Sequence, residues 1–175
     1  MTNVKPDVVY VHLGGNDLTK SHSTAHDIGE EMEDLVDDLL DMNIPQVVVS
    51  QMLFRYNRDS MQVSPRLYNM RVTDFNRYNR VSYSPNVPQN NSVRYWFHHG
   101  LWNKKYSTIG PDGVHLNSRG SKNFLRSIRG ACMQAVSRVR PQLRVGAPPV
   151  APAPAVARVR PSVRPHPPRP LLLDF

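Results

Sequence analysis

Two short polar segments contain the residue types that acid–base chemistry needs, and they lie far apart in the chain. The first is Gly14-Gly15-Asn16-Asp17, and the second is Asp112-Gly113-Val114-His115. His115 is suited to act as a base, because imidazole titrates near neutrality. Asp112, earlier on the same tight turn, is close enough to accept a hydrogen bond from that imidazole and so to fix its tautomer. The second segment therefore predicts an acid–histidine pair.

The first segment adds a candidate hydrogen-bond donor. Asn16 follows Gly14 and Gly15 at the end of an apolar run, so its side-chain amide can be offered into a crevice. Acyl transfer needs a nucleophile, a base, a group that orients the base, and donors for the developing oxyanion. Either segment alone is also typical of an ordinary loop or a structural histidine. Ser50, at the end of another apolar run, is the best-placed serine, although serines are common at strand ends.

Apolar spacing predicts the elements that must position these groups. Strands are predicted over residues 8–13, 46–52 and 93–98. Helices are predicted over residues 24–42, 65–81 and 118–140, with Ser23 or Thr24 capping the first and Pro141 ending the last. Strand, helix and strand in succession favour a βαβ unit of a parallel sheet. In such sheets, ligands bind beyond the carboxyl ends of the strands.

The same spacing predicts which side of each helix is buried. In the second helix these residues are Leu67, Met70, Phe75 and Tyr78, and the Asn-Arg-Tyr-Asn-Arg run over 76–80 suggests the polar face. In the last helix they are Phe124, Leu125, Ile128, Cys132, Ala135, Val136 and Val139. Cys132 is the lone cysteine, which favours a core residue and excludes an intramolecular disulfide or a cysteine-based zinc site. The acids of the first helix predict a solvated face rather than a metal site.

Composition divides the chain into a folding unit, residues 1–140, and a tail, residues 141–175. Ten of the sixteen prolines lie in the tail, which shows no helical or strand periodicity. A disordered or polyproline-like tail is therefore predicted. No apolar run reaches the ~20 residues of a membrane helix, and the amino terminus does not match a signal peptide. We expect a cytoplasmic protein without a membrane span.

The net charge of +8 is unevenly distributed. Residues 1–41 carry −8, residues 42–140 carry +12, and the tail carries +4. The basic surface and the Arg-Pro tail could contact the phosphates of nucleic acid. The acidic first helix partly neutralises the basic remainder, and simple low complexity would also account for the tail. Nucleic-acid binding is therefore the alternative function.

The two polar segments together resemble the SGNH (GDSL-type) hydrolase family. Gly14-Gly15-Asn16-Asp17 resembles its Gly-x-Asn-Asp block, and Asp112-Gly113-Val114-His115 resembles its Asp-x-x-His block. The resemblance covers residues 4–140. It implies a flavodoxin-like three-layer α/β/α sandwich with a parallel sheet, and esterase activity on an ester substrate. It also implies an oxyanion site at Asn16 and Gly14, an Asp112–His115 pair that completes a triad, and no metal or other cofactor.

The family's nucleophilic serine lies in a Gly-Asp-Ser block that precedes the Gly-x-Asn-Asp block, and no Gly-Asp-Ser occurs in this sequence. We therefore expect a hydrolase domain truncated at its amino terminus and inactive without the missing block. The run from Val8 to Leu13 would then be an open apolar edge, able to pair with another chain. A gene fragment, a dimer and a partner that supplies strands all stay open, and the fragment is favoured. Domains of this family also occur in animal retroelement-encoded proteins. That context is consistent with the alternative function, a nucleic-acid-binding module.

Overall fold

The computed structural model describes residues 5–57, 61–85, 87, 91–101 and 105–144. Its elements in chain order are β1 (Val8–Val11), a 3-10 turn (Asp17–Thr19), α1 (Ala25–Asp41), β2 (Gln46–Ser50), α2 (Pro65–Ser82), β3 (Val93–Trp96), α3 (Lys105–Thr108) and α4 (Ser118–Arg144). The three predicted strands and the three long helices are all present. The predicted tail beyond residue 144 lies outside the described residues. Within the described part, no helix combines the length and apolar character of a membrane span.

The strands form a parallel sheet in the order β1-β2-β3. Val9 pairs with Val47 between β1 and β2, and Val47 pairs in turn with Val93 of β3. The central strand β2 is buried at every position, as its continuous apolar run predicts. Among the described residues β1 has β2 as its one hydrogen-bonded neighbour, so the predicted open edge is present.

Helices cover both faces of the sheet, which gives three layers. On one face, α1 and α2 pack against Val47 and Val49 of β2 in the larger core cluster. On the other face, α4 packs against Val48 through Ala131 and Ala135. The predicted α/β/α arrangement around a parallel sheet is therefore confirmed.

Helix α1 begins where the capping residues predict. The Thr24 side chain accepts a hydrogen bond from the Asp27 backbone N–H at 3.1 Å, and the Asp27 carboxylate accepts one from the Thr24 N–H at 3.3 Å. This reciprocal pair is a capping box. On the buried side, Gly29 lies against Tyr78 of α2, where a Cβ would be 2.7 Å from the ring. Glycine weakens a helix, but here it lets the two helices approach closely.

The buried side of α2 agrees with the prediction at Phe75 and differs from it at Leu67 and Met70. Leu67 and Met70 are 39% and 54% exposed, whereas Asn76 and Asn79 are buried. The buried residues are Tyr68, Val72, Phe75, Asn76 and Asn79. The apolar pattern misplaced part of the face because hydrogen bonds let both asparagines be buried, although Oδ1 of Asn79 has no hydrogen-bond partner among the described residues. Asn79 donates to the carbonyl of Phe75, and Asn76 bonds to the backbone beyond β2.

Helix α4 differs from its prediction on one side and at its end. Leu125 is 65% exposed, whereas Ala131 and Ala135 are 1% exposed. Small side chains at these two positions let the helix lie close to the sheet, and Leu125 lies on a different side of the helix. The helix also continues past Pro141 to Arg144. A proline costs a helix one hydrogen bond and creates a steric clash, but it does not forbid a further turn.

Candidate active site

Asp112 and His115 form the hydrogen-bonded pair that their spacing predicts. Oδ2 of Asp112 lies 2.6 Å from Nδ1 of His115. The other oxygen, Oδ1, accepts backbone hydrogen bonds from Val114 and His115, each at 3.0 Å. The His115 side chain is 84% exposed, so its Nε2 edge is open to a reacting group. A carboxylate at Nδ1 and an accessible Nε2 are the arrangement that a general base requires.

The same hydrogen bonds set the charge of Asp112. The backbone N–H of Val114 contributes most to holding the pKa of Asp112 at about 2, below its ordinary value of 3.8. The hydrogen bonds from the side chain and the backbone of His115 act in the same direction. Asp112 is therefore ionised at neutral pH and can stabilise a protonated imidazole beside it.

The loop that carries this pair is closed where it meets α4. Ile109 and Leu116 form an antiparallel bridge across its base. In the first turn of α4, Gly120 lies against the backbone of Thr108, and a Cβ at this position would overlap the Thr108 carbonyl oxygen. The start of α4 therefore fixes both ends of the loop over residues 109–116.

The glycine–asparagine segment turns the chain beyond the carboxyl end of β1. Gly14 has a φ of 99°, which favours glycine, and its carbonyl accepts a hydrogen bond from the N–H of Leu18 at 3.0 Å. Asn16 is exposed, and its Oδ1 accepts a hydrogen bond from Nη2 of Arg55 at 2.9 Å. With Oδ1 held in this way, Nδ2 is the donor that Asn16 can offer to an incoming group. In this segment Gly14 shapes the turn and Asn16 presents the polar atom.

Two asparagines of α2 hold the segment that follows β2. Oδ1 of Asn76 accepts from the N–H of Met52 at 2.7 Å, and its Nδ2 donates to the Met52 carbonyl at 2.9 Å. Asn69 makes the same two bonds to the backbone of Arg55, at 3.0 and 2.8 Å. Each amide thus provides the backbone hydrogen bonds that a neighbouring strand would provide in a sheet. The sequence analysis missed both residues. The pattern that could have identified them is a pair of asparagines on one side of a helix.

The segment held by these asparagines connects the two polar segments of the sequence. Arg55 donates to Asn16, and the N–H of the next residue, Tyr56, donates to the carbonyl of Gly113 at 2.6 Å. Gly113 has a φ of 68°, and a Cβ there would lie 2.8 Å from the backbone nitrogen of Asn57. This close approach therefore requires glycine. Arg55 was also missed, because a lone arginine in a basic loop has no distinguishing pattern.

Open cavities border this connecting loop. Asn16 and Arg55 line one of about 340 Å³, and Tyr56 and Asp112 line another of about 510 Å³. Consecutive residues of one loop thus border the donor on one side and the acid–histidine pair on the other. The guanidinium of Arg55 also lies over the Tyr68 ring, 5.3 Å from its centroid. The aromatic contact helps to fix the bond between Arg55 and Asn16.

Ser50 lies in the interior rather than at His115. Its hydroxyl is 2.7 Å from Nδ1 of His12, and the residue is 2% exposed. The His12 ring lies 5.1 Å from the ring of Phe124 on α4, between centroids. Burial, and then the charge of Arg55, lower the pKa of His12. The Ser50 hydroxyl is therefore paired with His12, whereas the Nδ1 atom of His115 is paired with Asp112.

A second buried histidine joins the sheet to α4. Nε2 of His98 lies 3.0 Å from the Tyr10 hydroxyl, and Nδ1 lies 2.8 Å from the Ser127 hydroxyl. His98 is fully buried. Burial, and to a smaller extent the neighbouring His12, lower the pKa of His98 to about 4. His98 is therefore a neutral structural residue at pH 7.

One group in the described part of the chain has ligand atoms close enough together to hold a metal ion. It consists of His26, Asp27 and Glu30 on α1, all exposed. Asp27 already accepts the capping hydrogen bond from Thr24, and His26 lies 3.4 Å from the Glu30 carboxylate. This group shares no residue with the acid–histidine pair.

No protein-family model matches the chain, and no curated protein matches its sequence. The resemblance to SGNH hydrolases therefore depends on the two motifs themselves.

Proposed function

We propose that this chain provides the oxyanion donor, the base and the orienting acid of an SGNH-type serine esterase site. In this proposal the nucleophilic serine comes from a Gly-Asp-Ser segment outside the sequence. The observation that carries the proposal is the 2.6 Å contact between Asp112 and Nδ1 of an exposed His115. Further support comes from the loop at Arg55 and Tyr56, which bonds to Asn16 on one side and to the turn at Gly113 on the other.

Each group has one role in the proposed reaction. Nε2 of His115 takes the proton from the serine hydroxyl as its oxygen attacks the ester carbonyl carbon, and Asp112 stabilises the imidazolium that forms. Nδ2 of Asn16 donates to the carbonyl oxygen as it becomes an oxyanion. The intermediate then expels the alcohol, which takes the proton from Nε2. Water releases the acyl group from the serine by the same proton transfers.

Arg55 is a positioning residue in this proposal. Its hydrogen bond to Oδ1 of Asn16 turns the amide so that Nδ2 is available to the substrate oxygen. The two hydrogen bonds from Asn69 hold the backbone of Arg55, and the ring of Tyr68 lies under its guanidinium. Helix α2 thus supports the oxyanion donor through one intermediate side chain.

The test supplies the missing nucleophile. An amino-terminal βαβ segment that contains Gly-Asp-Ser is fused to the chain, and hydrolysis of p-nitrophenyl acetate and butyrate is measured. We expect turnover that His115→Ala reduces by on the order of 10³-fold, because a triad loses most of its rate with its base. His22→Ala, at an exposed histidine outside the site, is the matched control and should leave turnover unchanged.

Two results decide the outcome. Replacing the added serine with alanine must abolish turnover, because hydrolysis by an exposed imidazole alone would survive that change. A fusion that unfolds cooperatively, and therefore folds, yet hydrolyses esters equally well with and without His115 would overturn the proposal.

A further inference from the structure

A separate cavity of about 400 Å³ lies between α2 and the outer strand β3. Its lining includes Gln51, Arg77, Arg80, Tyr95 and Phe97, and none of the residues proposed for ester hydrolysis. These side chains offer one amide, two guanidinium groups and two aromatic rings. None of the described residues that line the cavity is acidic.

Gln51 provides a buried hydrogen-bond donor. The residue is fully buried, and its Oε1 accepts a hydrogen bond from the backbone N–H of His98 at 2.8 Å. That bond fixes the orientation of the amide. Nε2 has no hydrogen-bond partner among the described residues. An unpaired buried donor is unfavourable. Nε2 is closed to solvent, so a ligand reaches it when the cavity wall shifts, and a carbonyl or ring nitrogen placed there would remove a cost that the free protein bears.

The aromatic side of the cavity comes from alternate residues at the end of β3. Tyr95 is half-buried, and Phe97 is 38% exposed. Burial raises the pKa of the Tyr95 hydroxyl above its ordinary range, and the charge of Arg80 acts in the opposite direction. Arg80 therefore lies close to the aromatic side. A partly exposed ring beside a guanidinium suits a ligand that has both a flat ring and a negatively charged group.

The charged rim comes from α2. Arg77 and Arg80 lie on the same side of that helix, one turn apart. Arg77 pairs with Asp74 at 3.0 Å, but both side chains are more than half exposed, and such a surface pair is weak. No ion-pair partner of Arg80 occurs in the described part of the chain. Both guanidinium groups can therefore bind a phosphate, the anion whose geometry they match best.

We propose that this cavity binds a nucleotide, with its base against Phe97 and Gln51 and its phosphate at Arg77 and Arg80. An apolar ligand would leave the amide and the guanidinium groups unused, and inorganic phosphate would leave the rings unused. A free mononucleotide and one unit of a single-stranded nucleic acid share the required chemistry. The proposal does not depend on the esterase proposal, because the two sites share no residue.

The test is an NMR titration of the full chain with adenosine 5′-monophosphate, with inorganic phosphate, and with a short oligoadenylate, at low and at physiological salt. The mononucleotide should shift the signals of the Phe97 ring and the Gln51 side-chain amide, and inorganic phosphate should not. Arg80→Gln should weaken mononucleotide binding about tenfold, the worth of one charge-assisted hydrogen bond. Phe97→Leu should weaken it about fivefold or more through lost stacking. Arg66→Gln, an exposed arginine of the same helix outside the cavity, is the matched control.

The oligonucleotide identifies the natural source. Tighter binding of the oligoadenylate with a steep salt dependence assigns the cavity to one unit of a strand, and equal affinity assigns it to a free nucleotide. Three results would overturn the proposal. They are the absence of shifts at Phe97 and Gln51 with either nucleotide ligand, the same shifts with inorganic phosphate alone, and an equal loss of affinity in Arg66→Gln and Arg80→Gln.

Discussion

Replacing Asn76 with alanine tests how the fold holds the loop that connects the two polar segments. Both polar atoms of its amide bond to the backbone of Met52, and the two residues are 6% and 4% exposed. Asn76→Ala removes both bonds and leaves the N–H and the carbonyl of Met52 buried without partners. Each such group costs about 1–3 kcal/mol, so the variant should lose about 4 kcal/mol of unfolding free energy. That is a large share of the ~5–15 kcal/mol of a typical domain.

The assay is urea unfolding followed by tryptophan fluorescence, with the free energy extrapolated to water. Asn69→Ala should lose about 2 kcal/mol, because the backbone groups of Arg55 that it frees are partly open to water. Asn123→Ala, at a partly exposed position on α4, is the matched control and should change stability by less than about 0.5 kcal/mol. If the unfolding free energy of Asn76→Ala stays within about 1 kcal/mol of that of the parent chain, the hydrogen bonds between Asn76 and Met52 do not hold the loop as we describe.

Three further predictions concern pH, packing and positioning. Because the pKa of His98 is about 4 in the folded chain and 6.5 ordinarily, unfolding takes up a proton below pH 6.5. The free energy of unfolding, measured in urea, should therefore fall by about 3 kcal/mol from pH 6.5 to pH 4. His98→Gln should make that fall smaller, and an equally steep fall in the variant would contradict the prediction. Gly29→Ala should destabilise by about 1 kcal/mol in the same assay, because the clash with the Tyr78 ring outweighs the gain in helix propensity, and a stabilised variant would refute the close packing. Arg55→Met, in the fusion with Gly-Asp-Ser, should lower kcat about tenfold with little change in KM and should shift the side-chain NMR signals of Asn16, whereas unchanged signals would remove Arg55 from the positioning role.

The sequence predicted the sheet and the helices because those elements follow from local apolar spacing. The central strand β2 has a continuous Val run, and the Thr24 and Asp27 capping residues mark the start of α1. The Asp112–His115 pair was equally predictable, since two residues on one tight turn reach each other regardless of the remaining fold.

Contacts between distant parts of the chain could not be predicted in the same way. The buried face of α2 was predicted correctly at Phe75, but the prediction missed Asn76, which counts as polar in any periodicity although its amide bonds to the backbone of Met52. The role of Arg55 depends on where the chain runs after β2, which no local pattern specifies. Leu125 shows the opposite error, because it is apolar yet exposed, while Ala131 and Ala135 make the contact with the sheet.

The most direct test of the central claim is kcat for p-nitrophenyl acetate in a double-mutant cycle of Asn16→Ala and His115→Ala, made in the fusion with Gly-Asp-Ser. If both residues act on one transition state, Asn16→Ala alone should lower kcat by on the order of 10²-fold. The double variant should then be little slower than His115→Ala alone, because residues that act as a unit are not additive. An Asn16→Ala variant with unchanged kcat would show that the two polar segments do not form one site.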